Sequence, residues 1–189
     1  MNWLAHLLLA DPQPAHRVGS LLPDLLPIAQ LRELPPSFQA GIERHRQIDA
    51  FTDKHPLFRR SVARLQPPYR RYGAVLVDIF YDHLLTAHWR QFARVDLGEF
   101  TREVYAAFDE CRDHLPNHAY RILNQMRVSG WLESYGDVDG IRLTLARMSR
   151  RLRRPFDLAG GTDQLEAYYS GLRADFLEFF PAIARQFNA

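Results

Sequence analysis

An all-α fold is predicted from three features of the 189-residue chain. Apolar residues recur at helical spacing, no run alternates β-branched and polar residues for the length of a strand, and prolines and glycines cut the chain into helix-sized pieces. Eight or nine helices are expected in one compact domain over residues 1–189, since 47% hydrophobic content at this length suffices for a sizeable core.

Asn2–Ala10 reads as a short apolar helix with Asn2 as N-cap. His6 lies inside it, either as a satisfied core residue or as part of a site. Asp11–Ala15 is a proline-rich turn. Across Arg17–Leu34, Gly19, Pro23 and Pro27 leave room for two short pieces, with Asp24 at the break as a cap or as a site carboxylate. Pro35 and Pro36 suit the first turn of the helix that continues through Ser37–Thr52. Pro56 marks a boundary before a helix at about Leu57–Leu65, and Pro67-Pro68 a break before the next.

Gly73–Trp89 is the centre of the chain. Val75, Leu76, Val77, Ile79, Phe80, Leu84 and Leu85 make it apolar on every side, which predicts a buried helix. Leu97–His114 is amphipathic, His118–Tyr135 is helical with an interruption near Gly130, and Asp137–Arg153 runs into a basic cluster of Arg147, Arg150, Arg151, Arg153 and Arg154. After a turn at Pro155–Gly161, a last helix is expected over Thr162–Phe179, with Pro181 opening a short tail.

A net charge of +2 does not point to a nucleic-acid binder driven by bulk charge. Lys54 is the only lysine, and arginine forks suit phosphate and carboxylate. Cys111 is alone, so no disulfide framework forms within the chain, which fits a reducing cytoplasm. The N-terminal run lacks a basic segment and is interrupted by His6 and Pro12, so no signal peptide is expected, and no apolar stretch is long enough to span a bilayer.

Candidate chemistry sits on two helices. The central one carries Asp78 and Asp82, four residues apart on one face, followed by His83. The one before carries His45 and Asp49 at the same spacing, with Asp53 a turn further on. Unpaired carboxylates are costly to bury, so such groups are paired or bound to a metal. Arginine partners would neutralise them; two His/Asp sets in apolar settings would instead build a mixed nitrogen and oxygen metal site.

The segments NWLAH (2–6), GSLLPD (19–24), GIERHRQIDAFTD (41–53) and VDIFYDHLLTAHW (77–89), with the closing LEAYYSGLRADFLEFFP, together resemble the acyl carrier protein phosphodiesterase family, related to the HD-domain metal-dependent phosphohydrolases. The resemblance implies an HD-like helical fold and a phosphodiesterase that removes 4'-phosphopantetheine from a serine of holo-acyl carrier protein, using Mn2+ or Mg2+. Asp82-His83 reverses the His-Asp order of ordinary HD enzymes, and helix neighbours point about 100° apart. The metal is expected to be drawn by Asp24, Asp49, Asp78, Asp82 and His83. His6 and His45 handle protons or stand near the metal, Arg46 holds phosphate oxygens, and Asp53 orients a histidine. Arg147, Arg150, Arg151 and Arg154 dock the acidic carrier protein or simply end a solvated helix. The competing readings are a phosphohydrolase of a small nucleotide or other phosphoester, and a non-catalytic module that binds carrier protein.

Overall fold

The computed structural model describes residues 1–187, and the regular elements among them are all helical. They are α1 (Trp3–Leu9), α2 (Pro14–Gly19), α3 (Ile28–Glu33), α4 (Pro36–Lys54), α5 (Pro56–Arg64), α6 (Gly73–Ala87), α7 (Trp89–Phe92), α8 (Leu97–Glu110), α9 (Asn117–Val128), α10 (Trp131–Ser134), α11 (Val138–Ser149) and α12 (Thr162–Phe187). Single 3-10 turns lie at Leu22–Asp24, Tyr69–Tyr72, Arg112–His114 and Ala159–Gly161. The helices beyond the number expected are short, such as α7 and α10.

The central position of α6 follows from its sequence. Leu76, Val77, Ile79, Phe80, Tyr81, Leu84 and Leu85 are all buried around it, and α1, α5, α11 and α12 pack against it. The buried apolar side chains join into one cluster that runs from Met1 to Ile183. Among the described residues no helix is long and apolar enough to cross a membrane.

One helix crossing positions the chemistry. A Cβ on Gly41 would lie 2.2 Å from the His16 carbonyl oxygen, and one on Gly19 2.6 Å from that of Phe38. Glycine at both positions therefore lets the backbones of α2 and α4 touch. The contact sets the Ser20 carbonyl, just past α2, against the ring of His45 in the middle of α4. α2 begins at Pro14 rather than near Arg17, because proline suits the first helical position.

α12 departs further from expectation. It runs through Pro181 to Phe187 instead of stopping at Phe179. An internal proline costs about 3 kcal/mol. Phe179, Phe180 and Ile183 are buried on either side of it, and each burial is worth about 1.5–3 kcal/mol, so continuing the helix is the better solution. Buried Asp175 also ties α12 to α5 by accepting from Arg60, Arg64 and Ser61.

Candidate active site

A cavity of about 420 Å³ is lined by Met1, Asn2 and Trp3, by Asp24, by Asp49 and Asp53 of α4, by Asp78 of α6, by Trp131 and Tyr135, and by Thr144, Arg147 and Arg151 at the end of α11. α6 contributes Asp78, α4 contributes Asp49 and Asp53, one turn apart, with His45 behind Asp49, and the N-terminal segment contributes Met1 to Trp3. Gly130, at φ 57°, closes α9 with the left-handed turn glycine favours and starts α10 at Trp131.

His45 is the best-oriented of the titratable groups. Its Nδ1 donates to the Ser20 carbonyl at 2.7 Å. That leaves Nε2 facing Asp49 Oδ2 at 3.0 Å and Asp24 Oδ1 at 3.7 Å. Burial opposes protonation of this ring, but Asp49 and Asp24 outweigh it and raise its pKa above the ordinary value. Asp49 is half-buried, and burial alone would favour its neutral form. Hydrogen bonds from His45 and His6 and the nearby Met1 ammonium outweigh that and hold it far below the usual carboxylate range. Asp24 is fixed from its other side, where Trp3 Nε1 donates to Oδ2 at 2.8 Å.

His6 is fully buried and stacks on His45, the ring centroids 4.0 Å apart. Its Nε2 lies 3.0 Å from the Met1 carbonyl oxygen and 3.1 Å from Asp49 Oδ1. A carbonyl only accepts, so Nε2 carries the hydrogen and the buried Nδ1 has no partner. Burial, with the neighbouring positive groups, pushes the His6 pKa down to about 4.

The same geometry suits a cation. The buried Met1 ammonium stands 3.2 Å from Asp49 Oδ1 and 3.1 Å from Asp78 Oδ1. Burial works against its charge, yet the two carboxylates lift its pKa to about 10. Asp78 itself titrates above the usual range because burial outweighs that ammonium. Ligand atoms of His6, His45 and Asp49 fall within 4.8 Å of one another. A histidine whose Nδ1–H is held by a carbonyl while Nε2 faces carboxylates has the arrangement metal-ligating histidines take.

Asp24, Asp49, Asp78, His6 and His45 are thus brought together, and Asp53 is exposed on the cavity wall without a histidine to orient. The structure places four other expected features differently. Asp82 is fully buried, but its oxygens accept from the backbone N–H groups of Leu4 (2.8 Å) and Ala5 (3.1 Å) and from Asn2 Nδ2 (2.9 Å). It anchors the start of α1, and burial raises its pKa to about 7 despite those donors. His83 turns to the Tyr135 carbonyl at 2.9 Å and does not line the cavity. Arg46, one residue and about 100° on from His45, is exposed near Glu43, 3.8 Å away, and is no part of the wall. The basic cluster divides. Arg147 and Arg151 line both the cavity and an adjoining groove, Arg150 lines only the groove with His118 and Arg121, and Arg154 lines neither.

The sequence reading missed Trp3, Trp131, Tyr135 and the Ser20 carbonyl. Trp3 was the available signal, since an indole N–H seeks a partner when buried and this one finds Asp24; the Trp131 indole N–H is enclosed without a partner among the described residues. A backbone carbonyl leaves no mark in a sequence.

A family model described as acyl carrier protein phosphodiesterase matches residues 1–183. The acyl carrier protein phosphodiesterase of Yersinia pestis is 32% identical over 187 residues, which is 98% of this chain and 97% of its own length. That of Serratia proteamaculans is 33% identical over 190 residues, and that of Escherichia coli O6:H1 likewise 33% over 190, each with 98% and 97% of the two chains covered. No solved structure matches the chain.

Proposed function

Because the chain belongs to the acyl carrier protein phosphodiesterase family, we propose that it hydrolyses the phosphodiester joining 4'-phosphopantetheine to a serine of holo-acyl carrier protein, with a divalent cation held by His45, Asp49, Asp24 and Asp78. The observation that carries this reading is the meeting of His45 Nε2 with the Asp49 and Asp24 carboxylates, 3.0 and 3.7 Å away, just behind the cavity wall that those two carboxylates line. Three carboxylates and one imidazole favour manganese or magnesium over zinc. When bound, such an ion lowers the pKa of water and offsets phosphate charge.

The chain's own groups do the rest. The Ser20 carbonyl keeps the hydrogen of His45 on Nδ1, so Nε2 offers a lone pair once its proton leaves. Asp49 stays ionised at neutral pH. His6 stays neutral and, through Nε2–H, holds the Asp49 carboxylate in place. Trp3 holds Asp24 in the same way. In the net reaction water adds to phosphorus, the bond from phosphorus to the serine oxygen breaks, and that oxygen takes the proton. The products are apo-acyl carrier protein and 4'-phosphopantetheine.

Exposed Arg150 and Arg151, with Arg121 on the same groove, and Arg154, exposed just beyond them in the chain, suit a small acidic protein as substrate. The single, buried Cys111 fits a reducing cytoplasm as the place of action.

Mass spectrometry of holo-acyl carrier protein incubated with the purified protein tests the reading. With manganese, a mass loss equal to phosphopantetheine is expected; with a chelator, none. Asp49→Asn is expected to lose both turnover and the heat of manganese binding in calorimetry while keeping its helical circular dichroism. Loss of phosphopantetheine under chelation would remove the cation, and no loss in either condition would move the substrate to a small phosphoester.

A further inference from the structure

The cavity holds two arginines that do not pair with its acids. Asp24, Asp49, Asp53 and Asp78 share its wall with Arg147 and Arg151. Among the described residues no salt bridge joins either arginine to any acid. Arg147 is half-buried, and its Nη1 is enclosed without a hydrogen-bond partner. A buried guanidinium nitrogen left unsatisfied is costly, so a folded chain that keeps one leaves a donor set for something else.

What keeps the charges apart is a pair of tryptophans. The Arg147 guanidinium lies 4.8 Å from the centre of the Trp131 ring. Trp131 in turn contacts Trp3, the ring centroids 5.5 Å apart, and Trp3 holds Asp24 through its indole N–H. The chain Arg147, Trp131, Trp3, Asp24 therefore works as a spacer with a cation at one end and a carboxylate of the cation-binding group at the other. Stacking on an aromatic face suits a guanidinium and leaves its in-plane N–H donors free. A ligand that completes both ends must present anionic oxygens to Arg147 while also reaching the aspartate side through a cation. A phosphoryl group has that chemistry.

We propose that Arg147, seated on Trp131, binds nonbridging oxygens of the substrate phosphate and thereby selects a phosphorylated arm over the same arm without phosphate. This rests on the phosphodiesterase reading and assigns within it a residue that sequence placed among the docking arginines. The docking arginines are exposed, whereas Arg147, where the cavity meets the groove, is half-buried with Nη1 enclosed.

The test compares 4'-phosphopantetheine with pantetheine, which lacks the phosphate, as ligands of the manganese-loaded protein by calorimetry. The wild-type protein binds the phosphorylated compound more tightly. Arg147→Met weakens that binding by about 10- to 100-fold, the range of a charge-assisted hydrogen bond, and leaves pantetheine binding unchanged. Arg147→Lys recovers part of the difference, since it restores the charge without the fork. Arg94→Met, the same change at an exposed position off the cavity, keeps the wild-type preference. If Arg147→Met and Arg147→Lys both bind 4'-phosphopantetheine as the wild type does, or if the wild type itself shows no preference for the phosphate, the assignment is overturned. Turnover of holo-acyl carrier protein by the wild type is scored separately, so a failure of Arg147 is distinguishable from a failure of the phosphodiesterase reading.

Discussion

At neutral pH, His6 is an uncharged ring enclosed by the Met1 ammonium, the Asp49 carboxylate and the His45 ring stacked on it. Its pKa lies at about 4 in the folded protein, against 6.5 for an ordinary histidine. Between those values the unfolded ring takes a proton that the folded one refuses, so the unfolded state binds more protons and stability falls as pH drops through the window. The cation-free protein is therefore expected to lose on the order of 1–3 kcal/mol between about pH 6.5 and 4 through this residue alone. Urea midpoints of wild type and His6→Gln across that range measure it. A flatter profile for the variant is the expected result, and parallel profiles would mean His6 is not the buried neutral base described here. At this scale the sequence is informative where one helix carries both partners: the i,i+4 spacing of His45 and Asp49 survives as a contact of 3.0 Å. The identical spacing of Asp78 and Asp82 gives two different settings, because a buried carboxylate is also satisfied by backbone N–H groups. The donors to Asp82, at Leu4 and Ala5, lie 78 and 77 residues away in the chain.

The consequence for the elements is that α1 is held at its first turn by α6. Asp82 accepts three hydrogen bonds there, two of them from backbone N–H groups that nothing else would satisfy. Each unsatisfied buried donor costs about 1–3 kcal/mol, so Asp82→Ala is expected to lower stability by about 3 kcal/mol or more, read from its denaturant midpoint. α1 also carries His6 and the Met1 contacts to Asp49 and Asp78, so weaker manganese binding follows as a secondary effect. The opposite pattern, unchanged stability with manganese binding abolished, would return Asp82 to the role of a ligand. Most helices were legible, since apolar periodicity, proline at first turns and the break at Gly130 are local signals. The run of α12 through Pro181 was not, because the burial of Phe179, Phe180 and Ile183 that offsets the proline depends on the rest of the fold. The crossing of α2 and α4 lay in plain view as Gly19 and Gly41, but glycine as a helix breaker and glycine as a contact surface look alike in a sequence.

For the whole molecule, one hydrophobic cluster supports a cavity in which Arg147 is kept from Asp24 by two aromatic side chains. The all-helical class and the membership of the family follow from features spread over the entire chain, which is why both could be read early. The cavity could not, since its walls come from segments as distant as Trp3 and Arg151. The proposed function nonetheless makes a definite demand on the chemistry: if carboxylates and a histidine gather a cation and the arginine side receives phosphate, attack falls on phosphorus. Hydrolysis of holo-acyl carrier protein in water enriched in oxygen-18, with manganese present and both products weighed by mass spectrometry, examines that demand directly. The account predicts one heavy oxygen in the released 4'-phosphopantetheine and none in the apo-protein. A heavy oxygen in the protein's serine, or no release at all, would contradict it.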